Sequence, residues 1–149
     1  TARIIVNYCI QNNIGNIVFG YNLDWKRNIN IGSCNNQNFA QIPHGNLRLK
    51  IKSLCERYGI NYVEQEESYT SQADFFANDT LPVYNADNPQ EYNFSGKRIS
   101  RGQYRTYQGT IINADCNGAL NILRKSNLVD LRVLQARGCL NQPERIRVV

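Results

Sequence analysis

Gly59-Ile60-Asn61-Tyr62-Val63-Glu64-Gln65-Glu66-Glu67 is the stretch on which the architecture turns. Gly59 is a helix stop, and the residues after it are rich in β-branched and aromatic types, so they predict a strand. Alternation puts Glu64 and Glu66 on one face with Tyr62, and Glu67 on the other with Val63 and Gln65. Upstream, Pro43 opens a helix in which Leu47, Ile51, Leu54 and Tyr58 recur at i, i+4, i+7 and i+11. Before that helix, Ile17-Val18-Phe19-Gly20-Tyr21 is a short apolar run of the kind buried in a parallel sheet. Strand, crossover helix and strand in that order make the two strands parallel neighbours. The predicted class is therefore α/β, parallel strands with crossover helices. Residues 2 to about 13 add a helix on Ile5, Val6, Cys9 and Ile10, closed near Gly15.

A chain of 149 residues is expected to form one domain with a real core. Residues 68 to about 110 read as an irregular insert punctuated by Leu81-Pro82, Asn88-Pro89 and Ser95-Gly96, and residues 126 to 149 as a short helix or coil. Seventeen Lys and Arg against 12 Asp and Glu give +5, a balance compatible with a polyanion and equally with none. Five cysteines with no CxxC pair argue against a zinc ribbon or a disulfide framework and for free thiols. One histidine, His44, gives poor support to a His metal site or a Ser-His-Asp triad. No run approaches a membrane span, so no membrane partner is expected. There is no methionine, and the chain opens directly into patterned sequence, which reads as a piece of a longer protein.

Three groups of residues carry chemistry. Glu64, Glu66 and Glu67 crowd the end of the predicted second strand, where open α/β sheets gather ligands. Clustered acids repel one another unless a cation is bound, and hard divalent ions suit them; solvated strand-end glutamates are the bland reading. Asp115 lies at or just inside the start of a helix entered from Ile111-Ile112, sharing a face with Ala119 and Ile122. It is either a helix cap or a carboxylate presented to a ligand. Lys97, Arg98, Arg101 and Arg105, interleaved with Tyr104 and Tyr107, suit a nucleic-acid backbone and unstacked bases, as do Lys26 and Arg27 beside Trp25 in a polar, Asn-rich loop.

Asn36 to Pro43, Glu66-Glu67-Ser68-Tyr69-Thr70-Ser71-Gln72, and Ser95 through Ile122 together resemble the C-terminal half of the TnpB, or OrfB, proteins of insertion sequences. These are RNA-guided, metal-dependent DNA endonucleases, often described as transposases and related to type V CRISPR effectors. The resemblance implies an incomplete RNase H-like (RuvC-like) domain whose three acids come from an early strand, a middle strand and a late helix. The late-helix acid corresponds to Asp115, and the early one should lie upstream of Thr1. The middle acid's usual place is taken by Gly20, so the resemblance points to a rearranged site in which Glu67, or else Glu66, supplies the missing carboxylate. Mg²⁺ or Mn²⁺ would be the cofactor, and DNA and guide RNA the partners, in a prokaryotic cytoplasm at the nucleoid. The family's four-cysteine zinc ribbon is not matched: Asp74 and Ala77 stand where its first pair belongs, so no zinc is expected. With the early acid missing, residues 1–149 alone should be nearly inactive. The rival reading is a catalytically decayed nucleic-acid-binding or regulatory protein of a transposon.

Overall fold

The computed structural model describes residues 1–21, 44–85, 87–88, 90–138, 140 and 143. They divide into two compact units, the first running to Glu64 and the second beginning at Gln65. The hydropathy pattern, which suggests one domain, does not announce this division.

The first unit holds α1 (Ala2–Gln11), β1 (Asn16–Tyr21), α2 (His44–Tyr58) and the body of β2 (Asn61–Glu66). β1 and β2 pair in a small parallel sheet, in line with the strand-helix-strand reading. Ala2, Val6 and Cys9 recur at i, i+4 and i+7 and bury one stripe of α1 together with Ile51, Cys55 and Ile60. Val6 and Cys55 are fully enclosed, and burial pushes the Cys9 and Cys55 thiols above their ordinary range. Two residues expected on apolar stripes, Ile10 and Tyr58, are instead exposed. The Tyr58 hydroxyl accepts from Arg3 Nη1 at 2.6 Å, and the Arg3 and Arg57 guanidinium groups lie over its ring. Gly59, at φ +70°, ends α2 in a left-handed turn, and Ile60 N then donates to the Cys55 carbonyl at 3.0 Å.

The second unit holds β3 (Lys97–Ser100), β4 (Gln103–Arg105), β5 (Ile111–Asn113), α3 (Ala114–Lys125) and a short α4 (Arg132–Ala136). β3, β4 and β5 form an antiparallel meander. Phe75, Phe76, Tyr104, Ile112 and Ala114 make the core, with Leu120, Leu131, Leu134 and Leu140 packed against it. Two expectations change. The insert from 68 to 110 is not irregular throughout, because its basic cluster is a hairpin. The strand that feeds α3 belongs to this antiparallel meander and not to the parallel pair. The whole is mixed α/β, with a parallel and an antiparallel sheet.

Gly96 is fixed by packing. A Cβ there would meet the Tyr104 ring at 2.6 Å and the Arg105 carbonyl oxygen at 2.7 Å. Tyr104 is fully buried and donates its hydroxyl to the Gln72 carbonyl at 2.8 Å, so the ring has nowhere to retreat. Gly96→Ala is expected to lower stability by about 2–3 kcal/mol, measured by urea unfolding of the chain. A change below about 0.5 kcal/mol would show that the hairpin yields freely.

Candidate functional site

α3 organises the candidate residues. Its cap is not Asp115. Asn113 Oδ1 accepts from Asp115 N at 2.9 Å and Cys116 N at 3.0 Å, closing the first turn from one position further out. Asp115 is therefore the second residue of the helix. Its side chain is exposed, no described residue donates to its carboxylate, and the helix dipole favours its charge. The buried stripe of α3 is unusual in being polar. Asn117 and Asn121 are fully enclosed. Asn117 accepts from Phe75 N at 3.2 Å and donates to the Ala73 carbonyl at 2.8 Å. Asn121 donates to the Thr70 and Ala73 carbonyls at 3.0 and 2.7 Å. The two asparagines hold the turn from Thr70 to Ala73, and Gly118 lies against Ser71 and Thr70, where a Cβ would come within 3.9 and 4.0 Å.

The two strand-end glutamates have different environments. Glu66 is burdened by burial, but this is more than offset by hydrogen bonds from Lys125 and Ser68, so its carboxyl is held below the usual range. Lys125 Nζ lies 2.5 Å from Glu66 Oε2, and Ser68 N 2.5 Å from Oε1. Lys125 also donates to the Ser68 and Pro82 carbonyls. Glu67 is half-buried, and no described residue donates to its carboxylate. Burial, and then the Glu66 charge beside it, pushes its carboxyl up. Its backbone carbonyl takes Thr70 N and Oγ1 at 3.2 and 2.8 Å, joining it to the turn that α3 holds. Lys125 stands ten positions beyond Asp115, about 15 Å along the helix axis. Glu66 is thus tied to the opposite end of α3 from Asp115. Among the described residues, no three acidic, cysteine or histidine side chains gather closely enough to hold a metal ion.

Asp74 is a hub that sequence reasoning did not assign. It is fully buried. Its Oδ1 accepts from Phe76 N at 2.9 Å and Ala77 N at 3.4 Å, and its Oδ2 from Tyr107 N at 2.6 Å. Asp74 N donates to Asp79, whose carboxylate also takes Ser95 N and Oγ. Arg124 closes the group through Asn78 and the Asp79 carbonyl. One carboxylate thus ties the turn after residue 74 to the turn after residue 106.

Lys97, Arg98, Arg101 and Arg105 are all exposed on the β3–β4 hairpin. Lys97 stands directly opposite Arg105 in the register. Like charges facing across a ladder are destabilising, and among the described residues none of the four forms an ion pair. Lys26 and Arg27, with Trp25 and the Asn-rich loop, lie outside the described residues. Cys9, Cys55 and Cys116 are free thiols.

The described residues thus combine a mixed α/β fold with an exposed carboxylate in the first turn of a helix and a basic hairpin leading into it. Residues 44–122, over half of the chain, match the family model described as Cas12f1-like, TNB domain, and the chain belongs to that family. The match agrees at family level with the TnpB-type resemblance. No curated protein matches the chain. No described helix is long and apolar enough to cross a membrane.

Proposed function

We propose that the chain is the RuvC-like, RNase H-type part of a transposon-encoded, RNA-guided DNA endonuclease. One observation supports this most: at two places a neighbour takes the structural duty and leaves a carboxylate without it. Asn113 caps the helix in place of Asp115, and Glu66 takes Lys125 and Ser68 in place of Glu67. Carboxylates left without a donor among the described residues suit a hard divalent cation. Asp115 and Glu67 would each offer a carboxylate ligand to Mg²⁺ or Mn²⁺, with Glu66 positioning Glu67. The ion would activate water and stabilise the leaving oxygen of a phosphodiester. Lys97, Arg98, Arg101 and Arg105 would track DNA or guide RNA, which relieves the Lys97–Arg105 repulsion. The Asp74 hub would hold the two turns together without zinc. The protein would work in the cytoplasm at the nucleoid.

The second reading, a decayed nucleic-acid-binding protein, rests on Gly20, which stands where the middle acid is usual. Mn²⁺ titration of the full-length protein, followed by electron paramagnetic resonance, separates the two. The nuclease reading expects saturable binding that Asp115→Ala weakens at least tenfold, together with Mn²⁺-dependent cleavage of DNA. Binding that Asp115→Ala leaves intact would sink it.

A further inference from the structure

Tyr69, Tyr92 and Phe94 form an aromatic group that neither core uses. The Tyr69 ring meets Tyr92 edge-on with centroids 5.0 Å apart, and Phe94 at 6.1 Å with a 40° tilt. Tyr92 is exposed, Phe94 and Tyr69 are half-buried, and Tyr84 is an exposed neighbour. Tyr69 holds φ +62°, a region that bulky L residues rarely adopt. Its carbonyl accepts from Gln72 N and Ala73 N, in the turn that Asn121 grips, so the backbone that presents the ring is fixed. A strained, anchored backbone with an accessible aromatic points to a use other than packing.

The surroundings say what the ring group would take. From Tyr92 to Ala114 the chain contains Lys97, Arg98, Arg101 and Arg105 and no acid. Phe94 lies three residues before Lys97 and leads straight into the basic hairpin. Glu67 lies two residues before Tyr69. Aromatic faces followed by a cationic strand match a backbone of phosphates carrying unpaired bases.

We infer that Tyr69, Tyr92 and Phe94 are a stacking platform for an unpaired base of single-stranded DNA, with the Lys97–Arg105 hairpin holding the adjoining phosphates. DNA is the occupant because Tyr69 follows Glu67, a candidate metal ligand, by two residues in the chain; the assignment rests to that extent on the nuclease reading. The platform is a binding element and not part of the chemistry.

Oligonucleotides carrying 2-aminopurine, bound to the full chain in EDTA, test it without cleavage or metal. Quenching of the probe base is expected with single-stranded DNA and not with duplex. Tyr92→Leu and Phe94→Leu keep apolar bulk but lose the π face, and each should abolish most of the quenching and weaken binding about tenfold. Tyr92→Phe should retain both. Lys97→Ala should weaken binding and flatten its salt dependence while leaving the quenching of the saturated complex unchanged. Full quenching in both leucine variants would overturn the platform. So would equal quenching by duplex, or quenching by single-stranded RNA alone. Loss of metal-dependent cleavage would count against the nuclease reading and leave these results in place.

Discussion

Replacing Asp74 with alanine is expected to lower the stability of the second unit by about 3–5 kcal/mol. The carboxylate serves three backbone amides, those of Phe76, Ala77 and Tyr107, the last of them 33 positions from Asp74 itself. Alanine leaves those donors without a partner in a region water does not reach freely, and each stranded donor costs about 1–3 kcal/mol. Small domains have only about 5–15 kcal/mol in total, so the unit should be near its unfolding threshold. Asp74→Asn should fall between the two. Its amide oxygen can still accept from Phe76 and Ala77, while its NH₂ is turned against the Tyr107 N–H. Urea denaturation followed by the near-ultraviolet signal of Tyr104 and its neighbours would measure the series. A loss below about 1 kcal/mol for Asp74→Ala would mean that the hub is decorative.

The adjacent glutamates should respond with opposite signs. Glu67→Gln is expected to stabilise the fold at neutral pH and, on the proposed nuclease function, to reduce metal-dependent DNA cleavage about 100-fold or more. The raised Glu67 carboxyl means that the folded state binds its proton more tightly than the unfolded chain does, so the ionised form strains the fold. The gain from glutamine is full above the raised folded value and vanishes below the ordinary value of 4.5. Glu66 behaves in reverse. Its carboxyl is held low, so its contribution is present above 4.5 and fades as the pH falls through the lowered folded value. Glu66→Gln should cost about 3 kcal/mol by leaving Lys125, whose side chain is only 9% exposed, with carbonyl partners but no opposite charge. Stability curves against pH and cleavage rates, taken on the same two variants, give the decision. If Glu67→Gln destabilises at neutral pH, or if it cleaves at full rate, the assignment of Glu67 fails.

How much of this could be read from the sequence depends on the range of the forces involved. The α1 stripe on Val6 and Cys9, the α2 stripe on Ile51 and Leu54, and the parallel pair around them follow from local periodicity. The strand Ile111–Asn113 and the helix after it were also legible, although Asn113 and not Asp115 closes the first turn. β3 was missed because Lys97-Arg98-Ile99-Ser100 offers a single apolar residue and no alternation. It is a strand because Tyr104, its neighbour in the meander, is buried. The Asp74 hub was invisible because its most distant partner is a backbone amide, which no side-chain pattern marks. The difference between Glu66 and Glu67 depends on Lys125, 59 residues away in sequence from Glu66.

The grip of α3 on its surroundings has a mechanical consequence. The helix carries Asp115 in its first turn, holds the Thr70–Ala73 turn through Asn117 and Asn121 in its middle, and clasps Glu66 and Ser68 through Lys125 at its far end. Glu67 lies between the two residues that Lys125 clasps. The Asp115 turn, the Thr70–Ala73 turn and the Glu66–Ser68 corner are therefore referred to one rod and not to loops that wander separately. If the helix tilts or slides, the segments it grips travel with it as one piece.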